Sequence, residues 1–268
     1  MKIDVDAVLR DRLPRHYRFI PRPLVRWVER TICQEQMNEM LRVNHGLRDA
    51  DFCRGVLSHL GITWSARGCV DRLAATPRPL IVSNHPLGGL DGIVMIDFIT
   101  RTCGPGMRFL VNDLLMAIEP LSGVFLPVNK HGAQSRAASA AIDEAMASSA
   151  PLVIFPAGLV SRRRNGQVAD LTWQKMFVNK AIASGRPVIP VHFSGHNSSF
   201  FYTFANLRER LGLKFNIEMV FLPREVFRAA GSAFTISVGA PVPPSELRGG
   251  AAAAATAADI RRRVYALA

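Results

Sequence analysis

Apolar and polar positions along the chain follow two periods. Short apolar runs at residues 80–82, 109–111, 152–155, 188–193, 217–222 and 234–238 have strand length and end at Gly, Pro or polar residues. Between them, residues 134–149 and 173–184 are the clearest helical stretches. This alternation predicts an α/β chain with a central mixed, largely parallel sheet flanked by helices and with functional loops at the strand ends. Ahead of the sheet, Phe19, Ile20, Leu24, Val25, Trp27, Val28 and Ile32 are interleaved with Arg18, Arg22, Arg26 and Arg30. Pro21 and Pro23 place the start of a helix near Leu24. Such an amphipathic N-terminal helical region either packs on the core or lies on a membrane, its arginines at lipid phosphates and Trp27 in the interface. Both readings stay open, on different faces of one helix. The expected division is an N-terminal helical, membrane-facing region over 1–70, a catalytic domain over 71–245, and a C-terminal helix or tail over 246–268. The alanines at 251–255 and Arg261, Arg262 and Arg263 give that last segment its helical, basic character.

Composition narrows the classes. A chain of 268 residues, 49% apolar, buries a single α/β core of ordinary size. Cys33, Cys53, Cys69 and Cys103 are scattered, with no Cys-x-x-Cys or paired His pattern, so reduced thiols are expected, with no metal site and no disulfide framework. No apolar run reaches the length of a membrane span, and the opening residues lack a signal peptide's apolar stretch, which points to the cytoplasm. The formal net charge of +12 suits nucleic acid, an acidic protein or anionic lipid. No nucleic-acid-binding motif accompanies it, so an anionic membrane surface is the expected partner. Neither a Walker loop nor a dinucleotide fingerprint is present, which excludes the common ATP and NAD chemistries.

The densest chemistry lies at residues 81–92, Ile-Val-Ser-Asn-His-Pro-Leu-Gly-Gly-Leu-Asp-Gly. The apolar run predicts a strand, and His85-Pro86 ends it, because the residue before proline is pushed out of the helical region. Gly88 and Gly89 permit a tight turn, and Asp91 opens a helix through Ile93, Val94, Ile96 and Phe98. Folded back, Asp91 can hold one imidazole nitrogen of His85, leaving the other to remove a proton from an attacking hydroxyl or amine. An ordinary capping or packing histidine is the competing reading.

The segment resembles the first motif of the glycerolipid (lysophospholipid) acyltransferase family, an Asn-His pair followed by Asp. The usual spacing has four residues between His and Asp, whereas five lie between His85 and Asp91. That matches the His-Pro-x-Gly-x-x-Asp-Gly variant of a bacterial hemolysin-like branch. Residues 123–130, Gly-Val-Phe-Leu-Pro-Val-Asn-Lys, resemble the second motif, with Asn129-Lys130 in place of Asp-Arg. Residues 152–162 resemble the third motif, Phe-Pro-Glu-Gly-Thr-Arg-Ser, with Ala157 in place of glutamate and Leu159-Val160 in place of Thr-Arg. Residues 186–191 resemble the fourth. Together they span roughly residues 79–191. The resemblance implies transfer of a fatty acyl group to a lysolipid-type hydroxyl at the membrane surface, with His85 as general base and Asp91 orienting it. It implies substrate-binding roles for Asn129, Lys130, Gly158, Ser161 and Arg162, and Arg162 is well placed to meet an acidic head group or donor phosphates. No bound cofactor is expected, since acyl-CoA or acyl carrier protein is consumed as donor. The expected partners are a lipid acceptor, an anionic membrane and acyl carrier protein, at the cytoplasmic face of the inner membrane. The altered second and third motifs argue against glycerol 3-phosphate or lysophosphatidate as acceptor. They leave open N-acylation of an amino acid and a noncatalytic lipid-binding role.

Overall fold

The computed structural model describes residues 2–128, 136–213 and 215–268. Four helices open the chain, α1 (Val5–Arg12), α2 (Arg22–Thr31), α3 (Gln34–Val43) and α4 (Asp49–His59). There follow β1 (Thr63–Gly68), α5 (Val70–Ala75), β2 (Leu80–Ser83), α6 (Leu90–Cys103), β3 (Arg108–Asn112) and β4 (Phe125–Val128). The chain continues through α7 (Arg136–Ala147), β5 (Leu152–Ile154), β6 (Arg162–Arg164), β7 (Gln167–Ala169), α8 (Met176–Ser184) and β8 (Val188–Phe193). Beyond these lie α9 (Ser199–Arg210), a 3₁₀ turn at Ile217–Phe221, α10 (Leu222–Arg228), β9 (Ala233–Val238) and α11 (Ala253–Tyr265). Among the described residues, seven strands form the main sheet in the order β1-β9-β8-β2-β5-β3-β4. It is parallel except where β8 meets β9, so the mixed, largely parallel sheet flanked by helices is the observed architecture.

Successive strand side chains point to opposite faces, so the sheet sorts its apolar residues into two cores. In β2, Ile81 joins Phe52, Val56 and Phe98 on one face, whereas Leu80 and Val82 join Phe177, Ala257 and Ile260 on the other. Each large apolar side chain so buried contributes roughly 1.5–3 kcal/mol, which holds the helical layers against the sheet. α4 belongs to the first core through Phe52, Cys53, Val56 and Leu57, and β1 pairs with β9 inside the sheet. α11 seals the second core through Ala253, Ala257, Ile260 and Val264, four positions at helical spacing. Parts of 1–70 and 246–268 are therefore built into the same cores as 71–245.

Three segments depart from expectation. Residues 217–222 form the 3₁₀ turn and the start of α10, not a strand. Pro223 suits the first turn of a helix, and the buried Glu218 is bound to Arg162 and Arg208. β1 has no continuous apolar run because it is an edge strand with alternating exposure, fixed by Trp64 against Phe98 and Asp97. Arg162, Arg163 and Arg164, which follow the third motif without any apolar alternation, form β6 of an antiparallel hairpin with β7. Asn165 and Gly166 both take positive φ at its turn, the pairing that two-residue hairpins favour.

At the opposite edge of the sheet from the strand-end loops, the buried Arg186 binds backbone carbonyls. Its guanidinium donates to Ala145, Met146, Ser148, Ala150 and Arg78 at 2.6–3.1 Å, tying the entries of β2, β5 and β8 together. Burial, then the charge of Arg78, pushes its pKa down to about 10, so it stays charged at neutral pH. Arg186→Met strands these carbonyls and is expected to lower stability by about 3 kcal/mol or more, read from urea unfolding.

Candidate active site

The chain leaves β2 at the carboxyl edge of three parallel strands, β2, β5 and β3, where ligands of open α/β sheets commonly bind. Asn84 anchors this exit. Its buried side-chain amide accepts the N–H of Phe193 at 2.7 Å and donates to the Phe193 carbonyl at 2.9 Å, clamping the chain to the end of β8. The loop beyond His85 then curls around one carboxylate. Asp91 Oδ2 meets Nδ1 of His85 at 2.9 Å and accepts the N–H groups of Leu87 at 2.9 Å and Gly88 at 3.3 Å. Its Oδ1 accepts the N–H of Gly92 at 2.9 Å. Gly88 has φ +78°, and a Cβ there would fall 2.8 Å from Leu222, so only glycine fits. The extra residue between His85 and Asp91 is taken up in this curl.

Burial alone pushes the Asp91 carboxyl upward, but the facing His85, as charge and as hydrogen-bond donor, and the N–H groups of Leu87 and Gly92 together hold it below the usual carboxylate range. An ionised Asp91 only accepts, so Nδ1 of His85 carries the proton between them and Nε2 is the nitrogen left for chemistry. The His85 side chain is 16% exposed and that of Asp91 is 0% exposed, so the ring is reachable while its partner is sealed. Phe155, at the exit of β5, stacks on the imidazole with centroids 4.2 Å apart and planes 19° apart. Phe109 braces Phe155 edge-on at 5.1 Å.

A second carboxylate holds the loop from the other side. Asp170 Oδ1 accepts the backbone N–H of His85 at 3.1 Å and the hydroxyl of Ser161 at 2.6 Å, and Oδ2 accepts Nε1 of Trp173 at 2.8 Å. The backbone N–H of Ser161 donates to the His85 carbonyl at 2.8 Å, closing the connection. α11 reaches the same residue, Tyr265 accepting the Asp170 N–H at 2.7 Å and Arg261 donating to its carbonyl at 2.7 Å. Burial, then the Asp170 charge, pushes the Tyr265 phenol upward and keeps it neutral.

The structure thus brings His85, Asp91 and Ser161 together. Gly158 sits in the same β5-to-β6 connection with φ +61°, its N–H bonded to the Phe155 carbonyl at 2.9 Å. Arg162 turns away. Its buried guanidinium binds Glu218 at 2.6 Å and the Val160 carbonyl at 2.7 Å, so the expectation of a ligand-facing arginine gives way to a buried ion pair. Asn129 and Lys130 lie outside the described residues. Sequence spacing does not single out Asp170, because nothing local connects it to His85. Phe155 carries a weak signal, as the residue that ends the apolar run of the third motif. Among the described residues, no group of three or more His, Cys, Asp or Glu side chains is arranged to hold a metal ion.

A family model described as acyltransferase matches residues 7–268. The chain is also 36% identical to a lyso-glycine lipid O-acyltransferase of Phocaeicola vulgatus and 37% identical to one of Bacteroides thetaiotaomicron, each over 241 residues. These alignments cover 90% of this chain and 86% and 88% of the two relatives. The chain belongs to the acyltransferase family that this model describes. A solved structure, the 1-acyl-sn-glycerophosphate acyltransferase PlsC of Thermotoga maritima, aligns with 85% of this chain and 86% of that chain at 16% identity and a TM-score of 0.48.

In this acyltransferase, Asp170 fixes the backbone from which His85 projects. Asp170→Asn replaces one acceptor by a donor facing N–H or O–H groups. It is expected to lower kcat roughly 10- to 100-fold with KM little changed, as steady-state kinetics beside a thermal melt would show, and Ser161→Ala is expected to fall between the two.

Proposed function

We propose that the enzyme transfers a fatty acyl group from an acyl thioester, acyl-CoA or acyl carrier protein, to the hydroxyl of an N-acylated amino-acid lysolipid of the lyso-glycine lipid type. The observation that carries the mechanism is the His85–Asp91 pair, one imidazole nitrogen bound to a sealed carboxylate and the ring accessible. Nε2 of His85 takes the proton of the acceptor hydroxyl while its oxygen attacks the thioester carbonyl. Asp91 and the face of Phe155 favour the imidazolium so formed. The tetrahedral intermediate collapses with cleavage of the C–S bond, and the departing thiolate receives the proton from His85.

The acceptor follows from two lines of support. The relatives are named for O-acylation of lyso-glycine lipid, which favours a hydroxyl over an amine. Ala157 stands where the third motif usually places glutamate, and Asn129-Lys130 where the second places Asp-Arg, so the residues that serve a glycerol phosphate head group in the usual motifs are replaced. Gly158 and Ser161 shape the connection beside His85, and Asn129 and Lys130 remain candidates for the acidic head group. The enzyme works as a peripheral protein at the cytoplasmic face of the inner membrane. Among the described residues no helix is long and apolar enough to cross a membrane, and α2 presents Leu24 and Trp27 beside its arginines.

Purified protein incubated with labelled acyl-CoA or acyl carrier protein is expected to yield a diacylated glycine lipid from lyso-glycine lipid, and much less product from lysophosphatidate, by mass spectrometry. Ester formation on lysophosphatidate alone would overturn the assignment of the acceptor. His85→Ala is expected to lower kcat/KM by about 10³-fold or more with an unchanged circular dichroism spectrum. Asp91→Asn, which disturbs the tautomer and leaves the ring in place, is expected to cost about 10²- to 10⁴-fold in kcat. Full activity in either variant would refute the mechanism.

A further inference from the structure

One face of the molecule carries apolar side chains that the cores do not use. α9 buries Phe201, Tyr202, Ala205 and Arg208, yet a second apolar stripe runs down its other side. Phe200, Phe204, Leu207 and Leu211 recur at helical spacing, and Phe200, Leu207 and Leu211 are exposed. The turn that follows adds Leu213, Ile217 and Phe215, the last 83% exposed. Phe221 joins this stripe to α2, its ring meeting Phe200 at 5.0 Å and Trp27 at 6.4 Å. On α2 the buried Val25 faces inward, whereas Leu24 and Trp27 are about half exposed. Phe19, just before α2, is 68% exposed.

A monomeric surface rarely leaves so large an apolar patch open unless something covers it. The charges around it identify the cover. Arg18, Arg22, Arg26 and Arg30 flank the first segment, and Arg210 and Arg224 flank the second, with Arg224 lying 5.6 Å over the Phe200 ring. Exposed aromatic and aliphatic groups ringed by arginines match the boundary between anionic head groups and acyl chains.

We propose that α2 and the turn carrying Leu211, Leu213 and Phe215 form one bipartite docking surface for an anionic bilayer, the turn entering the interface as a wedge. This rests on the membrane-surface reading above and adds a second element that the N-terminal helix does not supply. The arrangement also places the bilayer close to the chemistry. Phe201, Tyr202 and Phe221, beneath the patch, pack in one cluster with Val160 and Leu222, and those two side chains press against Gly88 in the loop of His85. One packed cluster thus links the underside of this face to the loop of the proposed general base.

The full chain is tested by co-sedimentation with phosphatidylcholine vesicles with and without phosphatidylglycerol, beside its Leu211→Ser/Phe215→Ser and Trp27→Ser variants. The parent is expected to bind the phosphatidylglycerol vesicles, and the double variant to bind them about tenfold more weakly. Turnover of lyso-glycine lipid dispersed in detergent with acyl-CoA is expected to stay the same in all three. Parent-like vesicle binding by the double variant overturns the wedge while leaving membrane association standing, and a parent that binds no vesicle overturns both. Loss of a dimer in the double variant with vesicle binding intact assigns the face to a second copy and overturns the proposal. Product formation in detergent reports on acyl transfer separately from all of these.

Discussion

A buried carboxylate organises this site. Asp91 is wholly enclosed, and an isolated charge in such a place would be prohibitively costly, yet hydrogen bonds from His85, Leu87, Gly88 and Gly92 surround it. Its position in the first turn of α6 adds the favourable end of the helix dipole. The same bonds that stabilise the charge shape the loop and orient the imidazole, so the chemistry and the local fold are one arrangement. Opening the loop would leave the carboxylate unpaired, which makes the orientation of His85 a property of the folded state rather than of a flexible segment.

Around that centre, each neighbouring element contributes one fixed contact. Asn84 binds the chain to β8, Phe155 at the end of β5 supports the ring, and Asp170 beyond β7 holds the backbone of His85. Arg162 shows the limit of reading charge from position. An arginine beside an active-site motif looks like a phosphate ligand, but Glu218, which also binds Arg208 of α9, draws it into a buried network that fixes the β6–β7 hairpin against α9. The exposed arginines that flank exposed apolar side chains lie elsewhere, around α2 and the α9–α10 turn.

What the sequence discloses depends on how local each interaction is. β2, β3, β5, β8 and β9 are visible as apolar runs because they lie inside the sheet, where β2, β5 and β8 are buried along nearly their whole length. The His85–Asp91 pair is visible because both residues occupy one loop whose glycines and proline announce the turn. β1 is hidden because an edge strand with a half-exposed pattern lacks a continuous run, and 217–222 reads falsely because the partners of Glu218 are distant in sequence. Asp170 is hidden for the same reason, since its bonds to His85 and Tyr265 cross 85 and 95 positions of chain.

Those long bonds carry a consequence for assembly. Tyr265 and Arg261 of α11 complete the shell around Asp170, and Asp170 in turn holds the backbone of His85, so the geometry of the His85 loop is closed by a helix far along the chain. Contacts of such separation carry a loop-closure cost that contacts within the loop do not. During biosynthesis the loop can acquire its local curl around Asp91 early, but it acquires its outer brace only when α11 docks. Docking of α11 therefore completes the brace on His85, which the local curl around Asp91 does not supply.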